Sequence, residues 1–84
     1  MAKKAPEEQF EERRRCVALN VLRLRQEQNL TQQQLADAAE IDRTTLARFE
    51  TRYINLTLDT FFALADALET EPQELLTTAT EKEE

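Results

Sequence analysis

Between Ile41 and Tyr53 the chain carries three guanidinium groups, Arg43, Arg48 and Arg52, interleaved with the hydroxyls of Thr44, Thr45 and Tyr53 and opposed by two carboxylates, Asp42 and Glu50. A guanidinium is a rigid fork of donors that fits phosphate oxygens or the paired acceptors of a base edge, and threonine adds a hydroxyl and a methyl. These groups suit recognition of a surface rich in acceptors. They do not suit bond making. The chain has no histidine, no glycine and one cysteine, so it lacks the usual general base, a phosphate-cradling loop and any metal-ligand spacing. Carboxylates are left as the only candidate acids and bases, and they fall in charge-rich stretches. We expect no enzymatic activity and no cofactor.

Side chains at positions 43, 44 and 48 share a face only if a helix carries them. With 84 residues, no glycine and two prolines, the chain is one domain with few of the turns a sheet requires, and it reads as all-α. Phe10, Val17, Val21 and Leu24 form one stripe of a first helix over residues 7–28, stopped by Asn29 in place of glycine. Thr31 and Gln34 make a capping box that starts a second helix, whose apolar side is Leu35, Ala36 and Ala39 and which ends near Glu40. Asp42 then caps a third helix, from Arg43 to Glu50 or Thr51, that turns Leu46 and Phe49 inward and leaves Arg43, Thr44, Ala47 and Arg48 facing elsewhere. Thr57 caps a fourth with Leu58, Phe61, Phe62, Ala65 and Leu68 at helical spacing, and Pro72 opens a short fifth that carries Leu75 and Leu76. The pattern predicts a compact five-helix bundle over residues 7–76, between a flexible arm over 1–6 and an acidic flexible tail over 77–84.

Seventeen acidic residues against eleven basic give a formal charge of -6, the wrong sign for a protein that coats nucleic acid without selectivity. A basic reading face on an acidic body escapes that objection, and residues 41–53 have the required local balance. Cys16 has no partner for an internal disulfide and reads as a small, half-buried packing residue. Neither a secretory segment nor an apolar run of about twenty residues is present, so a cytoplasmic protein with no membrane partner is expected.

Two short helices, residues 31–39 and 42–51, joined by a tight turn, make the supersecondary unit that lays its second member in the major groove of double-stranded DNA. From Val21 through Leu76 the chain resembles the Xre/Cro/C1 helix-turn-helix family. The resemblance is carried in order by Leu24-Arg25, by Leu30-Thr31-Gln32, by Leu35-Ala36, by Ile41 to Glu50, and by Thr57 to Phe61 with Leu64-Ala65 and Ala67-Leu68. It implies a lambda-repressor-like DNA-binding domain in a sequence-specific transcriptional regulator, of the repressor type, that binds a palindromic operator. On the same resemblance Arg43, Thr44 and Arg48 face base edges. Gln32, Thr45, Arg52 and Tyr53 contact the DNA backbone, and Arg25 with Glu50 forms an ion pair tying the first helix to the third. The chain departs from the family where Glu40, Arg52 and Glu69 stand at common glycine sites and where Leu22 replaces a frequent arginine, which puts one phosphate contact in doubt.

Adjacent phenylalanines on a helix cannot point to the same side, so of Phe61 and Phe62 the second is expected at the surface. Phe62, Leu75 and Leu76 are the expected interface of a two-fold homodimer whose half-sites lie one helical turn of DNA apart. Two alternatives share this fold. The stretch IDRTTLARFE is similar to the controller proteins of restriction-modification operons. The stretch NLTLDTFFALADAL, residues 55–68, is similar to antitoxins that bind a toxin protein, and an acidic chain would suit a basic partner of that kind.

Overall fold

Four residues in the left-handed region, Asn29, Glu40, Tyr53 and Glu69, with φ between 57° and 60°, mark where the chain leaves one helix for the next. The computed structural model describes residues 6–78. Among these the elements are α1 (Pro6–Glu27), α2 (Gln32–Ala39), α3 (Arg43–Arg52), α4 (Leu58–Ala67) and α5 (Pro72–Leu75), with no strand. Three of the stops share one geometry. The left-handed residue bonds three residues back, and the next N–H reaches five back: Leu30 to Arg25 at 3.0 Å, Ile41 to Ala36 at 2.9 Å and Thr70 to Ala65 at 3.0 Å. A residue with a Cβ is destabilised in this region by about 1 kcal/mol, asparagine least of all. In a chain without glycine that strain falls on Glu40, Tyr53 and Glu69. Arg52, expected at one of the glycine sites, is instead the last residue of α3, and Tyr53 takes the left-handed position.

All five helices contribute to one core. Ala18 and Val21 come from α1, Leu35, Ala36 and Ala39 from α2, Leu46 and Phe49 from α3, Leu64 and Ala65 from α4 with Leu68 at its end, and Leu75 from α5. The pair α2 and α3 packs between α1 and α4, while α5 closes the gap between α1 and α4. Each large side chain withdrawn from water in this way contributes about 1.5–3 kcal/mol, and Leu46 and Phe49 are thus the anchors that set which side of α3 is left outside.

Some expectations change. Leu75 is fully buried, so it belongs to the core of the single chain and has no surface to offer a partner; it leaves the expected dimer interface. Phe10 is half exposed because α1, at 22 residues, runs about 33 Å and projects past the small core it serves. Leu58, expected on the inner side of α4, is 70% exposed. Cys16 is half-buried, as read from its type. A feature with no clear sequence signal is Asn20, buried on α1, whose Nδ2 donates to the carbonyls of Leu75 at 2.9 Å and Thr77 at 2.8 Å. It fastens α5 to α1 and carries the packed body one residue past Leu76. The flexible arm and acidic tail lie outside the described residues, apart from Pro6, Thr77 and Thr78.

Candidate nucleic-acid interface

The start of α2 is fixed by a reciprocal cap: the Gln34 N–H donates to Thr31 Oγ1 at 3.0 Å, and the Thr31 N–H donates to Gln34 Oε1 at 2.9 Å. At the other end, Ile41 packs against the core and its N–H closes the stop on Ala36, which turns the chain into α3. Asp42 occupies the N-cap position of α3 with extended backbone, yet its side chain makes no capping bond. The turn from α2 to α3 is therefore set by backbone bonds and by burial of Leu46, not by that carboxylate.

With Leu46 and Phe49 inside, the helical period puts Arg43, Thr44, Ala47, Arg48 and Thr51 within an arc of about 140° on the outer side of α3. Arg43, Thr44, Arg48, Thr51 and Arg52 are exposed, and Thr45 and Ala47 are half-buried. Among the described residues none of the three arginines is paired with a carboxylate. Thr51 was not among the expected site residues, although its spacing from Thr44 and Ala47 places it on that face. Its hydroxyl donates to the Ala47 carbonyl at 2.8 Å, leaving a methyl and acceptor capacity outward.

Behind this face sits the acid of α3. Arg25 donates from Nε to Glu50 Oε2 at 2.8 Å and from Nη2 to Oε1 at 3.1 Å, and the two side chains are only 13% and 3% exposed. The same guanidinium donates from Nη1 to the Leu30 carbonyl at 2.8 Å, so one side chain joins α1, the turn before α2, and α3. Gln32 completes the cluster, its Nε2 donating to Glu50 Oε1 at 2.9 Å. Gln32, expected at a phosphate, also has an internal partner in Glu50 and helps to hold that carboxylate. Among the described residues no buried side-chain nitrogen or oxygen lacks a hydrogen bond. The consequence is electrostatic: the single carboxylate of α3 is paired with Arg25 and withdrawn from solvent.

The end of α3 is closed differently from the other stops. Tyr53 N–H bonds to Phe49 at 3.1 Å, and the Tyr53 carbonyl accepts from Arg14 Nε at 2.6 Å. Beyond it, Arg14, Val17, Leu56, Leu58, Phe61 and Leu76 line an open apolar groove of about 240 Å³. Leu58 and Phe62 are one turn apart on α4, and Leu58 and Leu76 share the groove, so Phe62 at 46%, Leu58 at 70% and Leu76 at 59% exposure form one apolar surface. The Phe61 ring, turned inward, lies 5.7 Å from that of Phe62. Among the described residues no helix is long and apolar enough to cross a membrane.

Comparison with known proteins agrees with this geometry. The helix-turn-helix family matches residues 21–75. The control protein C.SmaI of Serratia marcescens is 38% identical over 68 residues, which is 81% of this chain and 81% of that protein. The crystal structure of the restriction-modification controller protein C.AhdI from Aeromonas hydrophila superposes with a TM-score of 0.70 at 31% identity, covering 74% of this chain and 94% of that one. The hypothetical transcription factor NHTF from Neisseria superposes with a TM-score of 0.81 at 27% identity, covering 98% and 92%.

Proposed function

The chain belongs to the Xre/Cro/C1-type helix-turn-helix family, and from that premise we propose a DNA-binding transcriptional regulator that acts as a homodimer on a palindromic operator, with α3 in the major groove. The observation that carries the reading is the outer face of α3, where, among the described residues, exposed Arg43, Thr44 and Arg48 have no carboxylate partner while Glu50 is paired with Arg25. Arg43 and Arg48 are assigned to base edges, where each guanidinium fork matches guanine O6 and N7, and Thr44 offers its methyl or hydroxyl beside them. Thr45, Arg52 and Tyr53 are assigned to phosphates flanking the groove. Gln32 keeps a second amide hydrogen beyond its bond to Glu50, and we assign it to a phosphate at the N-terminus of α2. The second copy is assigned to the apolar surface of Leu58, Phe62 and Leu76, since a surface of this kind is stabilised by being covered.

The relatives favour one of the two alternatives. Both C.SmaI and C.AhdI are control proteins, and C.AhdI is named for a restriction-modification system. That supports a controller role for this chain over the toxin-binding reading. Selecting bound sites from a random DNA library tests the proposal: we expect an inverted repeat with half-site centres about one helical turn, roughly 34 Å, apart. Recovery of unrelated sequences with no shared motif would refute it.

A further inference from the structure

We propose that Arg14 is a positioning residue for the reading helix, bracing the end of α3 from α1 through the Tyr53 carbonyl; the inference rests on the DNA-binding reading above. Asn29, Glu40 and Glu69 each close their helix with a pair of backbone bonds, the second coming from the following residue. Among the described residues, α3 closes on the single backbone bond from Tyr53 to Phe49, and a guanidinium from α1 takes the carbonyl of the capping residue itself. Arg14 Nε donates to the Tyr53 carbonyl at 2.6 Å across a sequence separation of 39 residues. The guanidinium donor makes this a charge-assisted bond, and the cation stands at the negative end of the α3 dipole, where it is favoured.

Arg14 and Arg25 act together on one helical turn. They are eleven residues apart on α1, about 16 Å along its axis, yet they converge on Tyr53 and Glu50 in and just beyond the last turn of α3. Burial of Leu46 and Phe49 seats α3 on the core, and the two guanidiniums, approaching from separated points, hold its C-terminal end and with it the places of Arg48, Arg52 and Tyr53. The guanidinium is itself steadied from outside, since Nη2 donates to Glu7 Oε2 at 2.7 Å, with Arg14 22% and Glu7 76% exposed. Burial on that scale permits substitution without opening the core, because Arg14 is absent from the apolar cluster.

The test compares the parent chain with Arg14→Gln, Arg14→Lys and Glu7→Gln, each titrated against the selected operator over a range of salt and followed by amide hydrogen exchange. For Arg14→Gln we expect operator binding weakened about tenfold with an unchanged salt slope, which fits the loss of one hydrogen bond to a charged group. Amides 52–54 should exchange about tenfold faster while those of α2 keep their rates. Arg14→Lys should recover most of both effects, and Glu7→Gln should stay within about twofold of the parent, as an exposed pair is weak. A salt slope lowered by about one per subunit would make Arg14 a phosphate contact and overturn the proposal. Weaker binding with unchanged exchange at 52–54, as from a damaged contact between copies, would also overturn it, and so would unchanged binding. If the parent itself shows no preference among DNA sequences, the DNA-binding reading fails instead, and the exchange rates still decide whether Arg14 braces α3.

Discussion

Glu50 is the only acid on α3, and its position decides whether the helix can approach DNA at all. On the outer face it would stand beside Arg43 and Arg48 and repel phosphates. Held by two bonds from Arg25 and one from Gln32, it serves the bundle and leaves the face cationic. Because both partners are largely buried, removing one strands the other. Arg25→Ala should lower the unfolding free energy by about 3 kcal/mol or more, read as a loss of roughly 12 °C or more in Tm for a domain of this size. The double variant Arg25→Met with Glu50→Met should recover much of that stability in a double-mutant cycle; additive losses would mean the pair is not coupled. At Glu40 the sign reverses. Glu40→Gly relieves a left-handed side chain and should raise stability by up to about 1 kcal/mol, measured by denaturant unfolding, with no effect on operator affinity. The Arg25–Glu50 pair was legible in the sequence through the family resemblance. Arg14 and Asn20 were not, because each acts on a backbone carbonyl, and no residue type marks which carbonyl lacks a partner.

The helices themselves were read well where side chains do the local work. Thr31 with Gln34, and Thr57, form the expected caps, Pro72 opens α5, and Asn29 stops α1, since each signal is satisfied within one turn of chain. Errors arose where the outcome depended on what lay opposite. Leu58 and Phe10 fit the apolar period of their helices but stay largely exposed, and Leu75 and Leu76, adjacent in sequence, differ, the first buried and the second exposed. The packing of α2 against α3 leads to an element-level expectation. Thr31→Ala removes one half of the capping box and should cost about 1 kcal/mol, with thermal melting as the measurement, while leaving the α3 face in place. Operator selectivity should therefore persist at temperatures well below the melt.

Taken whole, the protein carries a charge of -6 and is expected to depend on one local face to overcome it. Long-range attraction to DNA should be weak, and binding should fall steeply with added salt in proportion to the phosphates contacted. The exposed surface of Leu58, Phe62 and Leu76 gives a second expectation: sedimentation should show a dimer at micromolar concentration, and Leu58→Glu with Leu76→Glu should give a folded monomer with much weaker operator binding. A monomeric parent would remove the two-fold arrangement. The central claim, that the outer face of α3 reads bases, is tested most directly by measuring the affinity of parent, Arg43→Ala and Arg48→Ala for a set of operators changed one base pair at a time. Each variant should lose about 1–3 kcal/mol of discrimination at its own base pair and keep it elsewhere. Equal weakening at every position, or none, would contradict it.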